Sequence, residues 1–101
     1  MIHPQAIIEK AVILGQNVKI GPYAVLEKGV ILGNNVVVSP FVHLKGNTYI
    51  GEDTFIGTGA VIGEGPQMLG VKENIGKVQI GRNNIIREYV TINSASSADK
   101  A

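Results

Sequence analysis

Side chains able to do chemistry are few in this chain, and each can be weighed in turn. There are two histidines, His3 and His43, and no cysteine. A general base must come within about 3 Å of the proton it removes, and nothing around either histidine marks it for that work. His3 stands between Ile2 and Pro4, and His43 precedes Leu44 in a periodic apolar pattern, so both read as surface or corner residues. A catalytic zinc site takes three protein ligands, which two histidines in distant parts of the chain do not supply. The absence of cysteine excludes a thiol nucleophile, a thiolate metal site and a disulfide scaffold. Arg87 and Glu88 are adjacent and read as a surface ion pair, a feature worth about 0–1 kcal/mol. The 13 glycines contain no G-x-x-x-x-G-K-[S/T] run, so they are not a phosphate-binding loop. No catalytic residue, metal ligand or cofactor site is expected from these residues themselves.

Charge and composition narrow the classes further. Nine basic and eight acidic residues give a net charge of +1 and are scattered without runs. That balance offers no footprint for nucleic acid and no basic face for an anionic membrane. No window approaches the ~18 uninterrupted apolar residues of a bilayer span. The opening MIHPQAIIEK lacks the charged and apolar regions of a secretory leader, so a cytoplasmic location is expected. Hydrophobic residues make up 45% and proline only four positions, which argues for a folded chain rather than a disordered one.

What these residues are mounted on is set by a repeat. Every sixth position from Ile2 is aliphatic: Ile2, Ile8, Leu14, Ile20, Leu26, Leu32, Val38, Leu44, Ile50, Ile56 and Ile62, resuming in phase at Ile80, Ile86 and Ile92. Ile, Leu and Val together fill 31 of 101 positions, far too few for that column to be coincidence. Four residues after each aliphatic from Ile2 to Ile56 comes a small or β-branched residue, as in Ala24, Val30, Val36, Val42, Thr48, Thr54 and Ala60. Directly after the aliphatic, glycine recurs at 15, 21, 33, 51, 57, 63 and 81. Three after it stand turn formers, Asn17, Gly29, Asn35, Asn47, Asp53, Gly59, Gly65 and Asn83, which tolerate positive φ.

A helix would repeat near 3.6 and a lone amphipathic strand near 2. A hexad makes one short strand and one corner, and three such units close a coil of triangular section. Stacked coils pair their strands in parallel about 4.8 Å apart, with the aliphatic columns inside. The result is a solenoid, each coil touching mainly its neighbours. Two segments leave the pattern. Over 66–77 the phase would put Met68 and Asn74 inside, and PQMLGVKENIGK carries proline, two glycines and charges, so it reads as an excursion loop. Residues 94–101, SASSADKA, form a polar tail. The expected organisation is one β-helix domain over 1–93, interrupted at 66–77, followed by that tail. Its coil ends carry unpaired N–H and C=O groups, so self-association is expected.

Hexads of the form aliphatic-Gly-x-x-small-x resemble those of the hexapeptide-repeat acyltransferases. Three stretches resemble, within them, the bacterial enzymes that acylate UDP-N-acetylglucosamine from acyl carrier protein in lipid A synthesis. These are Ile2-His3-Pro4-Gln5-Ala6-Ile7-Ile8, the loop entry Ile62-Gly63-Glu64-Gly65-Pro66-Gln67-Met68-Leu69, and the run from Ile80 to Asn93 containing Arg87-Glu88-Tyr89-Val90-Thr91-Ile92. The resemblance implies a left-handed parallel β-helix, all-β, with one projecting loop. It also implies a homotrimer, acyl carrier protein and a UDP-sugar as partners, and no cofactor. Gln67 and Asn93 match positions that contact substrate in that family. The family's loop acid falls on Met68 and its loop lysine on Gly70, and its general-base histidine lies beyond residue 101. By itself, then, the chain is expected to be inactive. Two other readings stay open: a short non-catalytic assembly module, and another nucleotide-sugar acyl- or N-acetyltransferase of the same fold.

Overall fold

The computed structural model describes residues 1–64 and 78–93, which form thirteen short strands and no helix. In chain order they are β1 (Ile7–Ile8), β2 (Ile13–Leu14), β3 (Lys19–Ile20), β4 (Val25–Leu26), β5 (Ile31–Leu32), β6 (Val37–Val38), β7 (His43–Leu44), β8 (Thr48–Ile50), β9 (Phe55–Ile56), β10 (Val61–Glu64), β11 (Val78–Ile80), β12 (Ile85–Ile86) and β13 (Thr91–Asn93). Every third strand shares a sheet. The first holds β1, β4, β7, β10 and β13, the second β2, β5, β8 and β11, and the third β3, β6, β9 and β12. All pairs are parallel. This is the left-handed parallel β-helix expected from the hexads.

The register reports the coil length directly. Ile7 stands opposite Val25 and Ile13 opposite Ile31, in each case an offset of three hexads. Across the interruption, Thr48 stands opposite Val78 and Phe55 opposite Ile85, offsets of five hexads. The insertion adds two whole hexads, so the aliphatic columns resume in phase.

Alternation along each two-residue strand decides what is buried. The second residue points inward, and Leu26, Leu44 and Ile62 on the first sheet, Leu32 and Ile50 on the second, and Val38 and Ile56 on the third are all buried. Each contributes about 1.5–3 kcal/mol by leaving water. The small column fills the inside of the corners, where Ala24, Val30, Val36, Val42 and Ala60 are also buried. Two of its members are polar. Thr54 Oγ1 donates to the Gly81 carbonyl at 3.0 Å and accepts from the Asn84 N–H at 3.4 Å, clasping the next coil. Thr48 Oγ1 has no hydrogen-bond partner among the described residues. At the terminal coils Ile8, Leu14, Val90 and Ile92 are only partly buried, packed on one side.

Corners follow the sixth-residue rule in backbone conformation. Asn17, Asn35, Asn47, Asp53 and Asn83 take φ near +60°, with Gly29 at +90° and Gly59 at +75°, as their residue types predict; Gly65 lies outside the described residues. Ala11, Tyr23, Phe41 and Tyr89 occupy the same left-handed corner position, though an L side chain there costs roughly 1–2 kcal/mol. At these corners the coil closure dictates φ and overrides local preference.

Glycine after the aliphatic column has a different cause, close approach. A Cβ on Gly51 would stand 2.7 Å from the Gly81 carbonyl carbon and 2.8 Å from the Arg82 nitrogen, both backbone atoms of the next coil. Gly51→Ala is therefore expected to lower stability by about 1–3 kcal/mol through overpacking. Urea unfolding of wild type and variant measures it, and an unchanged midpoint would contradict close coil contact at this corner.

Candidate functional site

The first sheet carries the polar cluster. Its outward positions run Ile7, Val25, His43, Val61 and Thr91, since Val25 and Val61 flank His43 in register. His43 Nε2 lies 2.7 Å from Glu27 Oε2, and with that nitrogen protonated the imidazole donates. Lys45 Nζ lies 3.7 Å from the same oxygen. The Gly46 N–H donates to Glu27 Oε1 at 3.3 Å. Glu27 and Lys45 are one coil apart, so opposite charges meet across the stack. The signal was present in the spacing, and the period would have found the pair.

Burial by itself would raise the Glu27 pKa. The His43 hydrogen bond, the Lys45 ammonium, the Gly46 N–H and the charge on His43 together outweigh it and hold the carboxyl below its ordinary value of 4.5. A carboxyl with a lowered folded pKa contributes stability above its unfolded pKa and loses it as pH falls through the folded value. The prediction is that Glu27→Gln is less stable than wild type at pH 7 and that the gap narrows as the pH drops below about 4.5. Urea midpoints at several pH values measure this; a gap that stays constant would contradict the assignment.

The remaining candidates are placed as follows. His3 Nδ1 accepts the Gln5 N–H at 3.1 Å, and the His3 backbone N–H donates to the Ile20 carbonyl, a local turn rather than a reactive arrangement. Neither histidine reaches the other, and among the described residues no three His, Cys, Asp or Glu side chains cluster as metal ligands. Arg87 and Glu88 are exposed and form no ion pair with each other. Arg82 instead pairs with Glu52 of the coil before, 2.7 Å apart on the surface.

Gln67, Met68 and Gly70 lie outside the described residues. Asn93 ends β13, and its backbone stands opposite Glu64, where a register shift after Ile62 marks a bulge. The fold thus places the backbone of Asn93 beside that of Glu64, three residues before Gln67 in the sequence. Gly63, at φ +93°, permits that bulge, and a Cβ on it would stand 2.6 Å from Thr48 Oγ1.

Known proteins resemble this chain in sequence and in shape. Residues 29–64 match the family described as bacterial transferase hexapeptide (six repeats). An acyl-[acyl-carrier-protein]–UDP-N-acetylglucosamine O-acyltransferase of Rickettsia bellii is 46% identical over 95 residues, covering 94% of this chain and 34% of the relative. The enzyme of the same name from a Sulfurihydrogenibium species is 48% identical over 98 residues, covering 97% of this chain and 36% of its own. The crystal structure of LpxA, a UDP-N-acetylglucosamine acyltransferase from Bacteroides fragilis, superposes with a TM-score of 0.89 at 38% identity, over 94% of this chain and 37% of that one. The chain spans about a third of the length of the curated relatives it matches. Hexads, coil register and these likenesses agree: residues 29–64 carry the repeat of the bacterial hexapeptide transferases, and over nearly its whole length the chain is similar to about a third of the UDP-N-acetylglucosamine O-acyltransferases.

Proposed function

We infer that this chain is a β-helical portion of an acyltransferase that moves a (3-hydroxy)acyl group from acyl carrier protein to UDP-N-acetylglucosamine in lipid A synthesis. The observation that carries the reading is likeness along nearly the whole chain to proteins of that name, joined to a TM-score of 0.89 with one of them. In such a transfer the sugar hydroxyl attacks the thioester carbonyl, a base takes the hydroxyl proton, and the carrier thiol departs. Gln67 and Asn93 are assigned to substrate binding, with the acceptor approaching where the chain departs at Glu64. The portion works with acyl carrier protein and a UDP-sugar as partners, in a cytoplasmic homotrimer, and its chemistry calls for no cofactor.

Neither histidine is taken as the base, because neither matches the position of the family's base histidine; the contacts of His43 Nε2 with Glu27 and of His3 Nδ1 with the Gln5 amide engage one ring nitrogen each and do not decide the matter. The chain therefore supplies coil scaffold and substrate contacts, and by itself performs no turnover. Incubation with acyl carrier protein thioester and UDP-N-acetylglucosamine is expected to give no acylated product, and measurable transfer would contradict the assignment. Calorimetric titration of the chain with UDP-N-acetylglucosamine tests the contacts. Gln67→Ala or Asn93→Ala is expected to weaken binding about three- to tenfold, the worth of one hydrogen bond, and unchanged affinity in both variants would remove these residues from the site.

A further inference from the structure

Along the first sheet, the two coils above the Glu27–His43–Lys45 cluster pair in three successive steps. At the corner that opens the sheet, Tyr89 takes the left-handed turn position and continues an aromatic ridge begun by Tyr23 and Phe41, whose rings stack at 5.3 Å. The Tyr89 ring lies over Gly59, where an added Cβ would collide with its Cε1 and Cδ1. Thr91 then stands in register over Val61. Asn93, assigned above to substrate binding, stands opposite Glu64.

The middle step has no structural duty that accounts for its hydroxyl. Val90 and Ile92, on either side of Thr91, are the residues packed against the core, so alternation turns Thr91 outward, where it is exposed. Its hydroxyl makes no hydrogen bond among the described residues, whereas that of Thr54 clasps the next coil. The other outward positions of this sheet, Ile7, Val25, His43 and Val61, carry no hydroxyl. Stacked residues lie about 4.8 Å apart, and alternate residues of one strand about 6.6 Å apart. That second spacing is the width of a sugar ring with its substituents, so a ring held at Asn93 brings a neighbouring substituent over Thr91 and Val61.

The chemistry of the step selects which substituent fits. An acetamido group presents an N–H, a carbonyl and a methyl. The Thr91 hydroxyl both donates and accepts, and the half-buried Val61 offers methyls to the methyl. The Tyr89 ring, 76% exposed, walls the side toward the ridge. Neither Thr91 nor Val61 is ionisable, which suits a neutral amide. A hydroxyl or an ammonium in the same place would cover Val61 with a group that must give up water. We infer that Thr91 and Val61, walled by Tyr89, form the subsite for the 2-acetamido group of the acceptor sugar and set the preference for an N-acetylated sugar. The subsite rests on the acceptor assignment proposed above and adds the contact that discriminates among acceptors.

Calorimetric titration with UDP-N-acetylglucosamine and with UDP-glucose, which carries a hydroxyl in place of the acetamido group, tests the subsite. Variants are compared at matching far-ultraviolet circular dichroism. The wild-type chain is expected to bind the N-acetylated sugar about tenfold more tightly. Thr91→Val keeps the β-branched shape and removes the hydroxyl. It is expected to weaken UDP-N-acetylglucosamine about three- to tenfold and to leave UDP-glucose within about twofold, and Thr91→Ala is expected to do the same. Thr91→Ser retains the hydroxyl and is expected to retain the preference. Wild-type preference in Thr91→Val and Thr91→Ala, or a wild-type chain that binds both sugars equally, would overturn the subsite while leaving the acceptor assignment standing. A wild-type chain that binds neither sugar would overturn the acceptor assignment and the subsite together.

Discussion

Successive coils of this protein approach so closely at their corners that backbone meets backbone. The absent Cβ of Gly51, which would stand 2.7 Å from the next coil, shows how little room there is. That approach is forced by the parallel ladder, whose strands lie about 4.8 Å apart and are mostly two residues long. Strands so short cannot set register by themselves. Register is imposed by closure of three of them in every coil, which brings each aliphatic residue above another of its column. Glycine beside half of the aliphatic column, left-handed turns at the corners from Ala11 onward and the small column inside are consequences of that closure.

Most of the fold was legible for this reason. Sixfold spacing of Ile, Leu and Val, glycine in the adjacent column and asparagine at the turns describe the coil completely enough to place the interior side chains. What could not be read was where closure overrules residue preference. Tyr23, Phe41, Tyr89 and Ala11 take left-handed φ against their own propensities, and local preference gives no hint of it. Nor does composition mark the aromatic ridge; it emerges only once residues three or five hexads apart are stacked. The Glu27–His43–Lys45 cluster lies between these cases. By sequence His43 reads as a corner or surface residue; in the fold it is an outward strand position whose ring is held by a carboxylate from the coil before. The candidate site was legible only through family likeness: Gln67 sits in a segment that breaks the period, and Asn93 ends a strand like any other. Neither stands in a pattern of spacing that carries chemistry.

The same geometry separates scaffold from reactivity. Residues that alternate inward are committed to columns, so anything functional must project from a face, a corner or an excursion. The described faces hold a carboxylate–imidazole pair, a surface Arg–Glu pair and apolar strips. At Gly63, φ +93°, the ladder shifts register between Ile62 and Glu64. Across the segment that follows, Thr48 stands opposite Val78 and Phe55 opposite Ile85, so the insertion is two whole hexads long and the columns resume above. A segment of that length can thus be inserted without disturbing the register beneath or above it.

That independence is the central claim, and deleting residues 66–77 tests it most directly. The shortened chain keeps the hexad phase and should restore a three-hexad offset throughout. Cooperative urea unfolding is expected, with a stability within about 1 kcal/mol of wild type, or slightly above it because the inserted residues no longer have to be ordered. A deletion variant that fails to fold, or that unfolds without cooperativity, would contradict the claim that closure every three hexads holds this protein together.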